Sequence, residues 1–367
     1  MKKICIINHG LASGGTDAFV INILKNIDRS KFTVDLFLAV NPDSEPQFRE
    51  EEAKQYLNEL SGNIFKIGDL GTTSEKVNYV KNLYNAFKKN GPYDAVHSNM
   101  DLFNGINLTV AKFAGIKSRI SHSHNSDSQY EKETNRHFLV NLYRTAMKTL
   151  ITFSSSKMLG CSTLALEYLY GRQYYNNKKC LLTYNGIDLS KFREAEFSNE
   201  NNIIAVGAIR DVKNPFFIVE IINELCKIRN DFKLLWVGDG ALKNQVKDKI
   251  SEYGLDDNIS MLGVRNDVNH LLGKSALFLM PSFFEGLSIA LVEAQASNLT
   301  CIVSDRITKE ADCGKCEFLP LENGAEYWAQ VIDDYLSGRK RKELDKELLS
   351  RFDEKKTIKK LEDIYMS

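Results

Sequence analysis

The chain reads as an α/β protein made of two doubly wound parallel-sheet domains. Three features predict this. Short β-branched apolar runs alternate with helical periods, the alternation stops at a polar stretch at 190–202, and it restarts beyond it. The length of 367 residues exceeds one ordinary domain, and a hydrophobic content of 43% suffices for two cores. The expected division is residues 1–189, residues 190–345 and a C-terminal helix over 346–367.

In the first half, apolar runs at 3–8, 33–38, 95–98, 119–122, 158–161 and 180–183 are too short for helices and read as buried strands. Apolar residues recur at helical spacing at 16–27, 77–89, 103–114 and 136–156, and in a helix ending near Tyr170. In the second half the strands are 203–206, 233–237, 259–262, 276–280 and 300–304. The helices between them are 214–228, 241–252, 267–272 and 287–296. From Arg339 onward a mixed-charge run carries a thin apolar stripe of Phe352, Ile358, Leu361 and Tyr365, and reads as helical. Ligands of such sheets bind at the carboxyl ends of the strands.

Charge and composition exclude several classes. Lys+Arg 48 against Asp+Glu 48 leaves no basic excess for nucleic acid. The start, Met1-Lys-Lys-Ile-Cys-Ile-Ile-Asn8, has an apolar run too short for a secretory signal, and no run approaches a membrane span of roughly 20 residues. A cytoplasmic protein, or one peripheral at a membrane face, is expected. The seven cysteines are scattered, which suits buried thiols in a reducing compartment. Cys313-Gly-Lys-Cys316 lacks the further ligands that zinc requires, so no metal and no cofactor is expected.

The most informative stretch is Pro281-Ser-Phe-Phe-Glu285-Gly286-Leu287-Ser288-Ile-Ala-Leu-Val-Glu293. An apolar strand gives way to a helix there, with a carboxylate at the turn and another eight positions on. Eight helical residues span about 12 Å and bring both carboxylates to one side. Between them lies a helix amino end, whose free N–H groups and positive dipole suit phosphate. This layout fits a nucleotide-sugar, with carboxylates for the hydroxyls at each end and amides for the diphosphate. Two solvated glutamates on an exposed helix fit the window as well.

Other strand ends carry polar groups. Gly14-Gly15 after the first strand allows a tight backbone approach to an anion. Gly207, Arg210 and Lys213 follow strand 203–206 and offer cations to phosphate oxygens. Gly238-Asp-Gly240 and Gly263-Val264 are turns whose backbone could read a base edge, or simple turns. Ser121-His122-Ser-His124-Asn125 ends another strand. His9, His97 and His124 all fall at strand ends of the first domain, which points to a shared cleft rather than to scattered structural histidines.

Taken together these residues resemble a retaining glycosyltransferase of family 4, with the GT-B fold of two Rossmann-like domains facing across a cleft. Glu285-x7-Glu293 in its Pro-Ser-x-x-Glu-Gly setting is the most specific element. Tyr184-Asn-Gly-Ile-Asp188 with Phe192, Gly14-Gly15, and Val206-Gly207 with Lys213-Asn214 match further family motifs. Ser121-His-Ser-His-Asn125, Ile307-Thr-Lys-Glu310 and Glu326-Tyr-Trp-Ala329 look like bacterial capsular and exopolysaccharide transferases.

The resemblance implies roles residue by residue. Glu293 binds ribose hydroxyls, Glu285 holds the donor sugar, and Lys213 holds the diphosphate. His124 contacts the sugar from the opposite domain. Gly14, Gly15, Gly207, Gly286, Leu287 and Ser288 approach the donor, and Gly263 and Val264 lie near the base. His9, His97 and Asn125 are acceptor-side candidates. The resemblance also implies a last helix that crosses back onto the first domain, a UDP-linked donor, and a glycan acceptor carried on polyprenyl diphosphate. Helix 136–156 is a possible lipid contact, though packing on the sheet accounts for it too.

Three positions depart from the family pattern: Ala208 where an arginine is common, Asp17 where glutamate is usual, and Asn298-Leu-Thr300 in place of Gly-x-Pro. Rival readings are a nucleotide-sugar epimerase, an inverting enzyme on the same fold, and a non-catalytic partner subunit. Asp127 is the lone nucleophile candidate in the first half for a double displacement, the less favoured route.

Overall fold

A computed structural model describes residues 1–12, 14–125, 138–192, 201–340 and 342–367. The chain folds into two compact units. One comprises Met1–Gly186 and Glu354–Ser367, the other Ile187–Asp353. The sequence boundaries at 189/190 and 345/346 thus stand beside structural ones at 186/187 and 353/354. Asp127, Arg136 and most of the polar linker at 193–200 lie outside the described residues.

In the first unit the order is β1 (Lys2–Asn8), α1 (Gly15–Asn26), β2 (Phe32–Leu38), α2 (Glu50–Glu59), β3 (Ile64–Lys66), α3 (Thr73–Asn90) and β4 (Ala95–Ser98). Then come α4 (Asn104–Phe113), β5 (Ser118–Ser123), α5 (Phe138–Ser154), β6 (Lys157–Gly160), α6 (Thr163–Tyr170) and β7 (Cys180–Leu182). All seven strands are parallel, in the order β3-β2-β1-β4-β5-β6-β7. β1 shows why its sequence lacks polar alternation. Ile4 and Ile6 enter the core on one face, Cys5 and Ile7 the core on the other.

The second unit holds β8 (Ile203–Val206), α7 (Pro215–Cys226), β9 (Leu234–Val237), α8 (Lys243–Glu252), β10 (Ile259–Gly263), α9 (Val268–Gly273) and β11 (Leu277–Met280). It continues through α10 (Ile289–Ala296), β12 (Thr300–Ser304), β13 (Cys316–Leu319), α11 (Gly324–Leu336) and α12 (Lys346–Leu349). Its six parallel strands run β10-β9-β8-β11-β12-β13. In both sheets the strand order reverses beside the first strand of the unit, between β1 and β4 and between β8 and β11. Crevices form at such points.

Four elements escape the sequence reading. α2 buries only Glu50, Ala53 and Leu57, a stripe too thin to stand out, and β3 has three residues. β13 and α11 follow a turn-rich stretch that hides their periods. The tail also needs correction, because it is not one helical run from Arg339. Gly338, at φ +72, ends α11 in a left-handed turn that suits glycine. The chain then restarts twice, and the Asp345 carboxylate accepts from the Glu347 and Leu348 amides to cap α12.

The last helix, α13 (Glu354–Met366), lies against α1 and β1 within the first unit. It buries Ile358, Leu361, Ile364 and Tyr365, and the Thr357 hydroxyl donates to the Tyr184 carbonyl at 3.0 Å. In the second unit Trp328 of α11 is fully buried, meets Phe217 edge-on at 5.6 Å, and donates its indole N–H to the Pro320 carbonyl at 3.0 Å. Trp328→Ala is therefore expected to lower the unfolding free energy by about 3–5 kcal/mol, measured by denaturant titration.

Candidate active site

The carboxyl ends of β8 and β11 meet at the switch point of the second sheet, and two loops leave from there. The first turns at Gly207, whose φ of +151 requires glycine, and a side chain at that place would meet Lys213 Nζ at 3.6 Å. It continues through exposed Arg210 to Lys213 and to Asn214, in the left-handed region at φ 54, before Pro215 opens α7. The second loop carries Ser282 and Glu285. Lys213 Nζ lies 2.5 Å from Glu285 Oε1, and the buried Ser282 hydroxyl donates to the same oxygen at 2.8 Å. The Phe283 amide donates to the Val212 carbonyl at 2.9 Å, so backbone as well as charge ties the loops together. A small cavity of about 20 Å³ opens between them, lined by Gly207, Ala208, Lys213, Pro281 and Ser282.

α10 begins just beyond. Its Ser288 provides no side-chain cap and turns to Met280 Sδ at 3.5 Å instead. Residues 286–290 donate no backbone hydrogen bond among the described residues. The helix start thus presents Gly286, Leu287 and Ser288 with unspent N–H groups, which suit an anion. Glu293 stands in the second turn, half-buried. Burial pushes its carboxyl up to about 7, while the nearby Lys191 charge pulls the other way. At the neighbouring strand end Gly263 takes φ +67, and Val264 beside it is exposed.

The switch point of the first sheet is built differently. Asn8, at the end of β1, donates to Asp17 Oδ1 at 2.9 Å, and the Gly14 amide donates to the other oxygen at 3.1 Å. The aspartate at position 17 thereby holds the glycine loop in place. A side chain on Gly15 would meet nothing within 4 Å, so the backbone there faces open space. His9 keeps much of its surface exposed, but partial desolvation of its ring lowers its basicity, and Asp101 and Asp17 partly restore it. His124 is half-buried, its Nε2 lies 2.9 Å from Asn99 Oδ1, and desolvation holds it well below the usual imidazole range.

Asn125 is exposed and donates to Asp101 Oδ2 at 2.5 Å. Asp101 also accepts the His124 amide at 3.1 Å, sits at a positive φ of 46 that an aspartate seldom adopts, and has a carboxyl raised by burial. The sequence reading missed it, as it missed Ser282 and Asn99. The one available signal was a carboxylate three residues beyond strand 95–98. One candidate is corrected. His97 has no exposed surface and uses both ring nitrogens inside the unit, on Tyr365 and His122, so it is a core link and not an acceptor contact.

The comparisons place this architecture. The family profile of Glycosyl transferases group 1 matches residues 187–348. The capsular polysaccharide biosynthesis glycosyltransferase CapH of Staphylococcus aureus is 30% identical over 76% of this chain and 78% of its own length. The chain therefore belongs to the group 1 glycosyltransferases. The glycosyltransferase EpsF of Bacillus subtilis is 29% identical over 99% of this chain and 96% of its own. The Escherichia coli UDP-Gal:alpha-D-GlcNAc-diphosphoundecaprenol alpha-1,3-galactosyltransferase is 24% identical over 77% and 78%. Among solved structures, Anabaena HepE in complex with UDP-glucose superimposes with a TM-score of 0.76 at 14% identity, covering 99% of both chains. At that identity the likeness concerns the fold, which is GT-B.

The raised Glu293 carboxyl has a consequence for stability. A group whose pKa is higher in the folded chain favours folding below its unfolded value and loses that contribution as pH rises through the folded value. Wild type should thus weaken between about pH 4.5 and 7 relative to Glu293→Gln. At pH 8 the variant is expected to be more stable by up to about 3 kcal/mol, read from unfolding curves across pH.

Proposed function

We propose that the protein transfers a hexose from a UDP-linked sugar to a lipid-linked oligosaccharide or similar glycan in bacterial surface polysaccharide synthesis, with retention and without a metal. The observation that carries this reading is the Lys213–Glu285 pair, set beside exposed Arg210 and the unspent amides of α10. The named activity of the Escherichia coli relative and the UDP-glucose held by HepE support the donor and acceptor classes.

Breaking the sugar–phosphate bond builds negative charge on the diphosphate and positive charge on the sugar. In this reading Lys213, Arg210 and the α10 amides receive the first. Glu285 holds Lys213 in place and accepts from a sugar hydroxyl, with Ser282 fixing its carboxylate. Glu293, poised between protonation states, can accept from one ribose hydroxyl and donate to another. Gly263 and Val264 flank the base. In the first unit His124 and Asp101 are assigned to sugar hydroxyls, Gly14 and Gly15 to the donor, and His9 and Asn125 to the acceptor. The leaving phosphate oxygen takes the acceptor proton.

A lipid-linked acceptor puts the work at a membrane surface, on the inner face of the cell membrane. No described helix is long and apolar enough to cross one. α5, however, packs inward through Met147 and Ile151 and leaves Phe138, Leu139, Leu142 and Phe153 more than half exposed, with no acidic residue in its length.

Four measurements test the reading. Of uridine, guanosine and adenosine diphosphate sugars, the uridine compounds should protect best against thermal unfolding, and the product anomer should match the donor's by NMR. Protection by none of them defeats the assignment. Lys213→Ala and Glu285→Ala should each lower kcat by about a hundredfold, as for a preorganised charge lost from a site. In a vesicle sedimentation assay with anionic lipid, Leu139→Ser with Leu142→Ser should weaken binding by about tenfold or more.

A further inference from the structure

The first unit contains a row of buried rings that this chemistry does not use. Tyr365 of α13 and His97 of β4 are nearly or wholly without exposed surface, and the tyrosine hydroxyl lies 2.7 Å from His97 Nδ1. His97 Nε2 lies 3.1 Å from Nδ1 of fully buried His122 on β5, and the two imidazoles stack at 5.2 Å with only 11° between their planes. His122 in turn lies against His124, with ring centroids 4.1 Å apart. Phe19 of α1 seals the row, meeting His122 at 4.9 Å and His124 at 5.0 Å.

Proton counting gives the row a direction. Among the described residues the Tyr365 hydroxyl has no hydrogen-bond partner but His97. Either direction leaves one proton without a hydrogen-bond partner, on the Tyr365 hydroxyl or on buried His122 Nε2, and the Thr183 backbone beside His122 favours a proton on that ring, so the tyrosine donates. His97 Nδ1 is then the acceptor, and its proton resides on Nε2 and goes to His122 Nδ1. His122 accordingly carries its proton on Nε2. Desolvation keeps both rings neutral, which is the state this sequence of donors requires. At the end of the row Asn99 fixes His124 with its proton on Nε2.

We propose that Tyr365 is a positioning residue for His124: its hydroxyl fixes the tautomers of His97 and His122, and that fixed pair holds the imidazole packed on it. The effect on turnover rests on the reading of His124 as a sugar contact; the ring states do not.

Tyr365→Phe in the full-length chain is the test, because it removes the hydroxyl and keeps the ring that packs on Phe32 at 6.0 Å. With six histidines in the chain, long-range proton–nitrogen NMR can report each tautomer. Wild type should show His97 and His122 protonated on Nε2. The variant should show a mixed His97 state and shifted or doubled His124 signals. Its kcat should fall by about fivefold, the loss that one neutral hydrogen bond represents, with donor KM unchanged. A wild-type His97 protonated on Nδ1, His124 signals unmoved by the substitution, or an unchanged kcat would each overturn the inference. If the rings behave as stated but wild type transfers no sugar, the proposed function fails and the ring assignment stands.

Discussion

The second unit is organised around one ion pair between residues 72 positions apart, Lys213 and Glu285. Each partner stands on a loop leaving the carboxyl end of a different strand. The pair exists only because β8 and β11 are neighbours in the sheet. Only 21% and 11% of the two side chains is exposed, so neither charge could sit there without the other at acceptable cost. The Phe283–Val212 backbone bond makes the same connection without charge.

Two sheets of the same topology present opposite chemistry at equivalent places. The second offers a cation and unspent amides, a surface made for negative charge. The first offers neutral imidazoles, asparagine amides and a carboxyl whose proton affinity burial raises, groups suited to hydroxyls. The difference arises from side chains alone, since both sheets supply the same strand ends. The fold therefore fixes where a ligand can sit, and the residues at the strand ends fix what kind of ligand it is.

α13 shows how tertiary packing gives meaning to a weak sequence pattern. As a sequence it is a mixed-charge segment with a thin apolar stripe. In the structure that stripe covers α1 and β1, and its Tyr365 reaches a histidine some 268 positions earlier in the chain. A segment far from any strand-end motif thus contacts the row of rings that ends at His124.

The sequence by itself determined the alternation of strands and helices and the presence of two parallel-sheet units, and it singled out Lys213, Glu285 and Glu293 as candidates in the second. Periodicity, glycines and carboxylate spacing are local properties that survive reading along one dimension. It could not reveal α2, β3, β13 or α11, whose apolar signals are too short or too thin to separate from loops. Nor could it separate His97, sealed in the core, from His124, which faces outward, because both look alike at a strand end. The tertiary structure decided that, together with the partners of Asp101, Ser282 and Asn99. Burial and hydrogen-bond geometry depend on which distant strands become neighbours, and no residue's immediate surroundings in the chain encode that.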